Sequence, residues 1–130
     1  IEAKSFTTGD SVTISIELDS KIDEKDLTIG IHIRDKFSQD IYGTNTHYQN
    51  KPIIVKKNNK YICKYLLDLN IGTGFYTLGV SLHTSDWHTE KCYHWIDNAV
   101  TFEIMGTREN LFIGMCKLNP QIQLEEVISE

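Results

Sequence analysis

The stretch from Gly74 to Ser85, GFYTLGVSLHTS, constrains the fold more than any other part of the chain. Its residues alternate with a period of two, and the two sets differ in size as well as in polarity. Tyr76, Leu78, Val80 and Leu82 fall on one side, and Thr77, Gly79, Ser81 and His83 on the other. The first set reads as a core face. The second leaves little standing on the sheet until the histidine, a shallow floor suited to a ligand rich in hydroxyl groups. The same pattern also describes the ordinary solvent side of a β-sandwich.

Other segments repeat the alternation. Val12, Ile14, Ile16 and Leu18 mark a strand from Ser11 to Asp19, and Leu27, Ile29, Ile31 and Ile33 mark one from Leu27 to Asp35, with Thr28, Gly30, His32 and Arg34 facing out. Ile41 to Thr46 reads as a short strand entering a loop that Pro52 helps to end. A strand from Ile53 to Lys57 is expected to join one from Tyr61 to Leu69 through the hairpin signal Lys-Asn-Asn-Lys. His83 to His94 reads as a polar, aromatic-rich loop, followed by a strand from Asn98 to Met105. Leu111 to Leu118 reads as a last strand before Pro120, and the tail QIQLEEVISE leaves open a terminal strand, a frayed helix or no order. Seven to nine short strands without a convincing helix predict an all-β fold, an antiparallel β-sandwich of immunoglobulin-like or jelly-roll type.

A chain of 130 residues with 40% hydrophobic content suits a single domain over residues 1–130 with one core. The formal net charge of -5 argues against a domain whose task is to neutralise phosphates, so nucleic acid is not expected as a partner. Lys56, Lys57 and Lys60, the one dense basic patch, read as a solvated turn. No apolar run approaches the roughly 20 residues needed to cross a bilayer as a helix. The chain starts at Ile1, and a fragment or processed product is the expectation that follows. Cys63, Cys92 and Cys116 are too few and too widely spaced for a disulfide framework or a zinc finger, and read as small buried residues in a reducing compartment.

The sequence has no GxSxG elbow, no GxxxxGK[ST] phosphate loop, no GxGxxG and no HExxH. Without the phosphate loop the chain cannot hydrolyse ATP by itself. His83, His88 and His94 fit no familiar ligand spacing, so neither a metal nor any other cofactor is expected. Asp35, Asp40, Asp86 and Asp97 lie near strand ends. A glycosidase pair must stand about 5 to 9.5 Å apart, and scattered Asp in a β protein marks turns. No catalytic residue is assigned and an enzyme is not expected.

The aromatic residues point further. Trp87, Tyr93 and Trp95 cluster with His88 and His94, while Tyr42, His47 and Tyr48 enrich the other long loop. Sugar rings present C–H faces that pack on Trp and Tyr, and their hydroxyls need imidazole, guanidinium, amide or carboxylate partners. Trp95 reads rather as a core residue plugging one end of the sandwich, whereas Trp87, flanked by Ser85, Asp86 and His88, reads as exposed. The candidate carbohydrate-binding residues are His32, Arg34, Thr77, Ser81, His83, Trp87, Tyr93 and Trp95, provided that the outer faces of Thr28 to Arg34 and Thr77 to His83 belong to one sheet.

Three blocks carry a resemblance: IHIRDKFSQDIYGTNT at Ile31 to Thr46, GFYTLGVSLH at Gly74 to His83 and HWIDNAVTFEIMG at His94 to Gly106, with GD..T..I at Gly9 to Ile16 as a weaker fourth. Together they resemble the C-terminal polysaccharide-binding domain of the ATP-binding (Wzt-type) subunit of bacterial O-antigen ABC transporters. The resemblance implies a β-sandwich that binds, without catalysis, the modified end of a lipid-linked O-polysaccharide. It also implies a homodimer, with a terminal strand after Gly106 exchanged between protomers in some members. An upstream ATPase domain, a transmembrane transporter subunit and a cytoplasmic location at the inner membrane are further implications. Within the blocks, Gly43 is expected to relieve backbone strain, Asn45 and Thr46 to tie down a loop, and Asp97-Asn98 to form a turn.

Overall fold

The computed structural model describes residues 5–84, 92–106 and 111–127, with the side chains of residues 92–98 excepted. Eight strands follow in order: β1 (Ser5–Thr7), β2 (Ser11–Asp19), β3 (Glu24–Asp35), β4 (Asp40–Asn45), β5 (Ile53–Val55), β6 (Lys60–Asp68), β7 (Gly74–Thr84) and β8 (Cys92–Met105). They build a larger sheet in the order β1-β8-β7-β3-β4, with β5 also paired to β3, and a two-stranded sheet of β2 and β6. All pairs are antiparallel except β1 with β8. The fold is an all-β sandwich, and its larger sheet is mixed rather than purely antiparallel. Among the described residues no helix is long and apolar enough to cross a membrane.

The alternation read from the sequence fixes the layers. Ile31 and Ile33 of β3, Tyr76 and Leu78 of β7, and Phe102 and Ile104 of β8 are buried on the inner face of the larger sheet. Val12, Ile14 and Ile16 of β2 and Tyr65 and Leu67 of β6 pack against them. Phe102 stacks on Tyr76 at 5.7 Å and meets the edge of Phe6 at 6.0 Å, which fastens the short first strand to the core. A second cluster of Leu27, Ile29 and Val55 closes the other end, with Leu18, Tyr61 and Cys63 against it.

Several expectations are corrected. The Lys56 to Lys60 segment is a turn, as its residues require, but it does not close a hairpin: β5 pairs with β3, whereas β6 pairs with β2 along its whole length, from Ser11 opposite Asp68 to Asp19 opposite Lys60. The turn instead crosses between sheets. Asn58, at φ 67°, donates its N–H to Ser20 O, and Ser20 donates to Asn59 O. β8 starts at Cys92 rather than Asn98, and Asp97-Asn98 is a bulge within it: Leu78 and Val80 of β7 face Val100 and Ile96, so β8 carries extra residues between them. Leu111 to Leu118 forms no strand, only an isolated bridge between Ile71 and Cys116. In the β3–β4 turn the positive φ, 62°, belongs to Ser38 and not to Gly43. Asn45 and Thr46 do fasten their loop: Asn45 Oδ1 accepts from Tyr48 N–H, and Thr46 Oγ1 from Ile29 N–H.

Tyr65 links the two sheets by donating its hydroxyl to Ile29 O. Burial, helped by Cys63 and Tyr42 nearby, pushes the phenol from its ordinary 10.0 up to about 12. The folded protein thus keeps a proton that the unfolded chain releases above the ordinary value. The resulting stability is complete below about pH 10 and drains away as the pH approaches 12. Tyr65→Phe is expected to cost about 1 kcal/mol at neutral pH and to shrink that gap to wild type as the solution turns alkaline. Urea midpoints measured across pH check this, and a gap that stays constant would refute it.

Candidate functional site

The pairing of β3 with β7 brings the two polar half-strands together. Thr28 stands opposite His83, Gly30 opposite Ser81, His32 opposite Gly79, and Arg34 opposite Thr77. These positions form the outer face of the larger sheet, away from the two-stranded layer. Strand β4 extends the face with Asn45, Gly43 and Asp40 opposite Gly30, His32 and Arg34. On the other side of β7, Thr101 is paired with Thr77 and Trp95 with Ser81. Hence His32, Arg34, Thr77, Ser81 and His83 occupy one continuous surface, and Trp95 holds a register position beside it. Tyr93 lies in β8 near the same end. The side chains of Tyr93 and Trp95, and Trp87 altogether, lie outside the described residues.

The middle of this face is not open. Ser81 is 6% exposed, and a Cβ placed on Gly30 would lie 2.6 Å from its Oγ, so the serine hydroxyl fills the space that Gly30 leaves. Ser81 therefore belongs to the packed floor rather than to the contact surface. His32, Arg34, Thr77 and His83 remain partly exposed around it. Arg34 donates from Nε to Asp40 Oδ1 at 2.8 Å, which holds the guanidinium along the face. Such a surface pair adds little stability, about 0–1 kcal/mol, so its main effect is orientation.

At the Thr28 and His83 end the face runs toward a cleft of about 290 Å³ lined by Asp26, Thr28, Thr46, His47, Asn50 and Lys51. The loop that makes its outer wall is held from several sides. Gln49 N–H donates to Asn45 O, Asn50 N–H to His47 O and Lys51 N–H to Thr46 O, while Asn50 sits at φ 55°. Thr46 anchors the loop on β3 by exchanging bonds with both backbone groups of Ile29. The cleft thus offers a carboxylate, an ammonium, an amide and an imidazole on a fixed frame, which is the mixture of donors and acceptors that sugar hydroxyls require. Asp26, Asn50 and Lys51 are absent from the residues selected by sequence. Nothing in a loop sequence says that it folds back beside a strand some twenty positions away. Phe75 is also absent from that selection, and here a signal existed: two more steps of the Thr77 to His83 alternation place it on the outer face, where it is 56% exposed.

Comparison with known proteins bears on this arrangement. Residues 1–118 match the family model described as the Wzt C-terminal domain. A solved structure described as the crystal structure of the C-terminal domain of wzt is similar to the chain, with a TM-score of 0.83 and 16% sequence identity, covering 93% of this chain and 74% of that one. At that identity the likeness concerns the fold. No match was found among the curated proteins.

Proposed function

We propose, from the premise that the chain belongs to the Wzt C-terminal domain family, the domain of an O-antigen ABC transporter, that it is a non-catalytic module binding the terminal part of a lipid-linked O-polysaccharide. The observation that carries this reading is the cross-strand register of β3 and β7, which assembles His32, Arg34, Thr77 and His83 around a small-residue floor next to a polar cleft. Ser81 shapes that floor, and Trp87, Tyr93 and Trp95 are proposed as the aromatic rim. Affinity should be modest, micromolar to millimolar, since a shallow site gains only a few kcal/mol after ordering costs. In this reading residues 1–130 act as one domain attached to an ATPase domain, at the cytoplasmic face of the inner membrane beside the transmembrane subunit.

Pairing with a second copy belongs to the same proposal. The β2–β6 sheet has only two strands, and among the described residues both its outer edges lack a partner, an arrangement that is marginal in water. Meanwhile Ile122, Leu124 and Val127 in the C-terminal arm are almost fully exposed. An arm laid on the open sheet of a second copy would satisfy both. The same two features favour a second reading, an interaction module with no glycan site.

Titration separates the readings. The domain should bind O-polysaccharide from its own source and not that of an unrelated serotype, and His83→Ala and Arg34→Ala should each weaken binding about tenfold, ~1.4 kcal/mol, without lowering stability. Equal binding of both polysaccharides, or of neither, leaves the interaction module. Retained affinity in both variants moves the site elsewhere.

A further inference from the structure

A second cleft lies at the opposite end of the β3–β7 pair, about 230 Å³ in volume, lined by Ile41 and Tyr76, which pack in the core, and by Asp35, Lys36, Phe37, Thr73 and Phe75. Local chemistry explains its shape. Asp35 Oδ1 accepts hydrogen bonds from Phe37 N–H and Gln39 N–H, and Ser38 N–H donates to Asp35 O, a tight turn that holds Phe37 at its tip. Phe37 is 78% exposed, with Lys36 Nζ 5.2 Å from the centre of its ring. The other wall is backbone: a Cβ on Gly72 would lie 2.7 Å from Gly114 O, and the chain at Met115 is tied there by Gly72 N–H donating to Met115 O.

We propose that this cleft is a second saccharide subsite, so that the domain holds its glycan at two points, one at each end of the β3–β7 pair, instead of only at the chain end. The inference rests on the glycan-binding reading and adds the span of the site. Two exposed benzyl rings next to a carboxylate, an ammonium and a threonine hydroxyl match the C–H faces and hydroxyls of a pyranose. A protein partner fits less well, because a stable interface needs roughly 800 Å² from each side, whereas this feature is a concavity of single-ring size. Phe75 and His83 lie on the same side of β7, eight steps of about 3.4 Å apart, so the two ends of the face are about 27 Å from each other. A polymer reaching both makes its second contact intramolecularly, and affinity must then depend on its length.

The test uses the full chain and two probes prepared from the source O-polysaccharide: its non-reducing terminal repeat unit alone, and a fragment of several repeats with the same end. The long fragment should bind the wild type at least about tenfold more tightly than the short one. Phe37→Ala with Phe75→Ala should abolish that advantage and leave the affinity for the short fragment unchanged. Both side chains are exposed, so folding is not at risk, and a matching thermal midpoint confirms it. Equal affinities for the two fragments in the wild type, or a length advantage that survives in the double variant, overturns the second subsite while leaving the first intact. Binding of neither fragment overturns the glycan reading itself.

Discussion

Ile29→Ala is expected to destabilise the domain by about 2–5 kcal/mol, the range for truncating a large aliphatic side chain in a core that cannot collapse around the gap. Ile29 is 1% exposed and packs with Leu27 and Val55 where the two sheets meet. Its backbone is held as firmly as its side chain. The N–H donates to Thr46 Oγ1, and the carbonyl accepts from both Thr46 N–H and the Tyr65 hydroxyl, so β3, the loop after β4 and the opposite sheet converge on one residue. Ile29→Val, which removes a single methylene, should cost about 0.5–1.5 kcal/mol. Urea denaturation measures both. A loss under about 1 kcal/mol for the alanine variant would mean that the clusters at the two ends of the core do not depend on this residue. On the proposed glycan-binding reading, affinity per folded molecule should stay unchanged, since Thr28 and Gly30 belong to the outer face of the same strand.

On the proposed pairing through the C-terminal arm, removal of residues 119–130 is expected to turn a dimer into a monomer. Ile122, Leu124 and Val127 gain nothing in the isolated chain, where they face water. Buried on a second copy, each would contribute about 1.5–3 kcal/mol before the cost of ordering the arm. With two arms exchanged, retention of even half of that sum corresponds to a change of about a thousandfold or more in the dimer dissociation constant. Sedimentation of the intact and shortened chains reads this out directly. A monomer in both cases, or a dimer in both, rejects the arm as the pairing element. The shortened chain should stay folded, because the arm's attachment lies earlier, at the Ile71 and Cys116 bridge and the Lys117 N–H donated to Asn70 O.

The face assignments of β2, β3 and β7 were legible from alternation, since side-chain direction in a strand is a local property. The same rule extended by two residues would have found Phe75. The Lys56 to Lys60 turn shows the limit of local reading: its residues dictate a reversal, with Asn58 at positive φ, but not which strands it joins. Strand β6 pairs with β2, some fifty positions earlier in the chain, because that register puts Tyr61, Cys63, Tyr65 and Leu67 over the core of the larger sheet. The outer floor illustrates a second limit. Gly79 and Ser81 look like bare surface in sequence, yet Ser81 fills the space over Gly30 on the neighbouring strand.

By itself, then, the sequence determined the all-β class, the inward and outward sides of β2, β3 and β7, and the reversal at Lys56 to Lys60, all consequences of chemistry within a few residues. Tertiary structure alone decided that the outer sides of β3 and β7 are neighbours, that the loop after β4 walls a polar cleft near His83, and that Leu111 to Leu118 adds no strand to the sandwich. Backbone hydrogen bonds are alike for every strand, so partners are selected by the burial that a whole arrangement achieves, and that is a sum over distant residues.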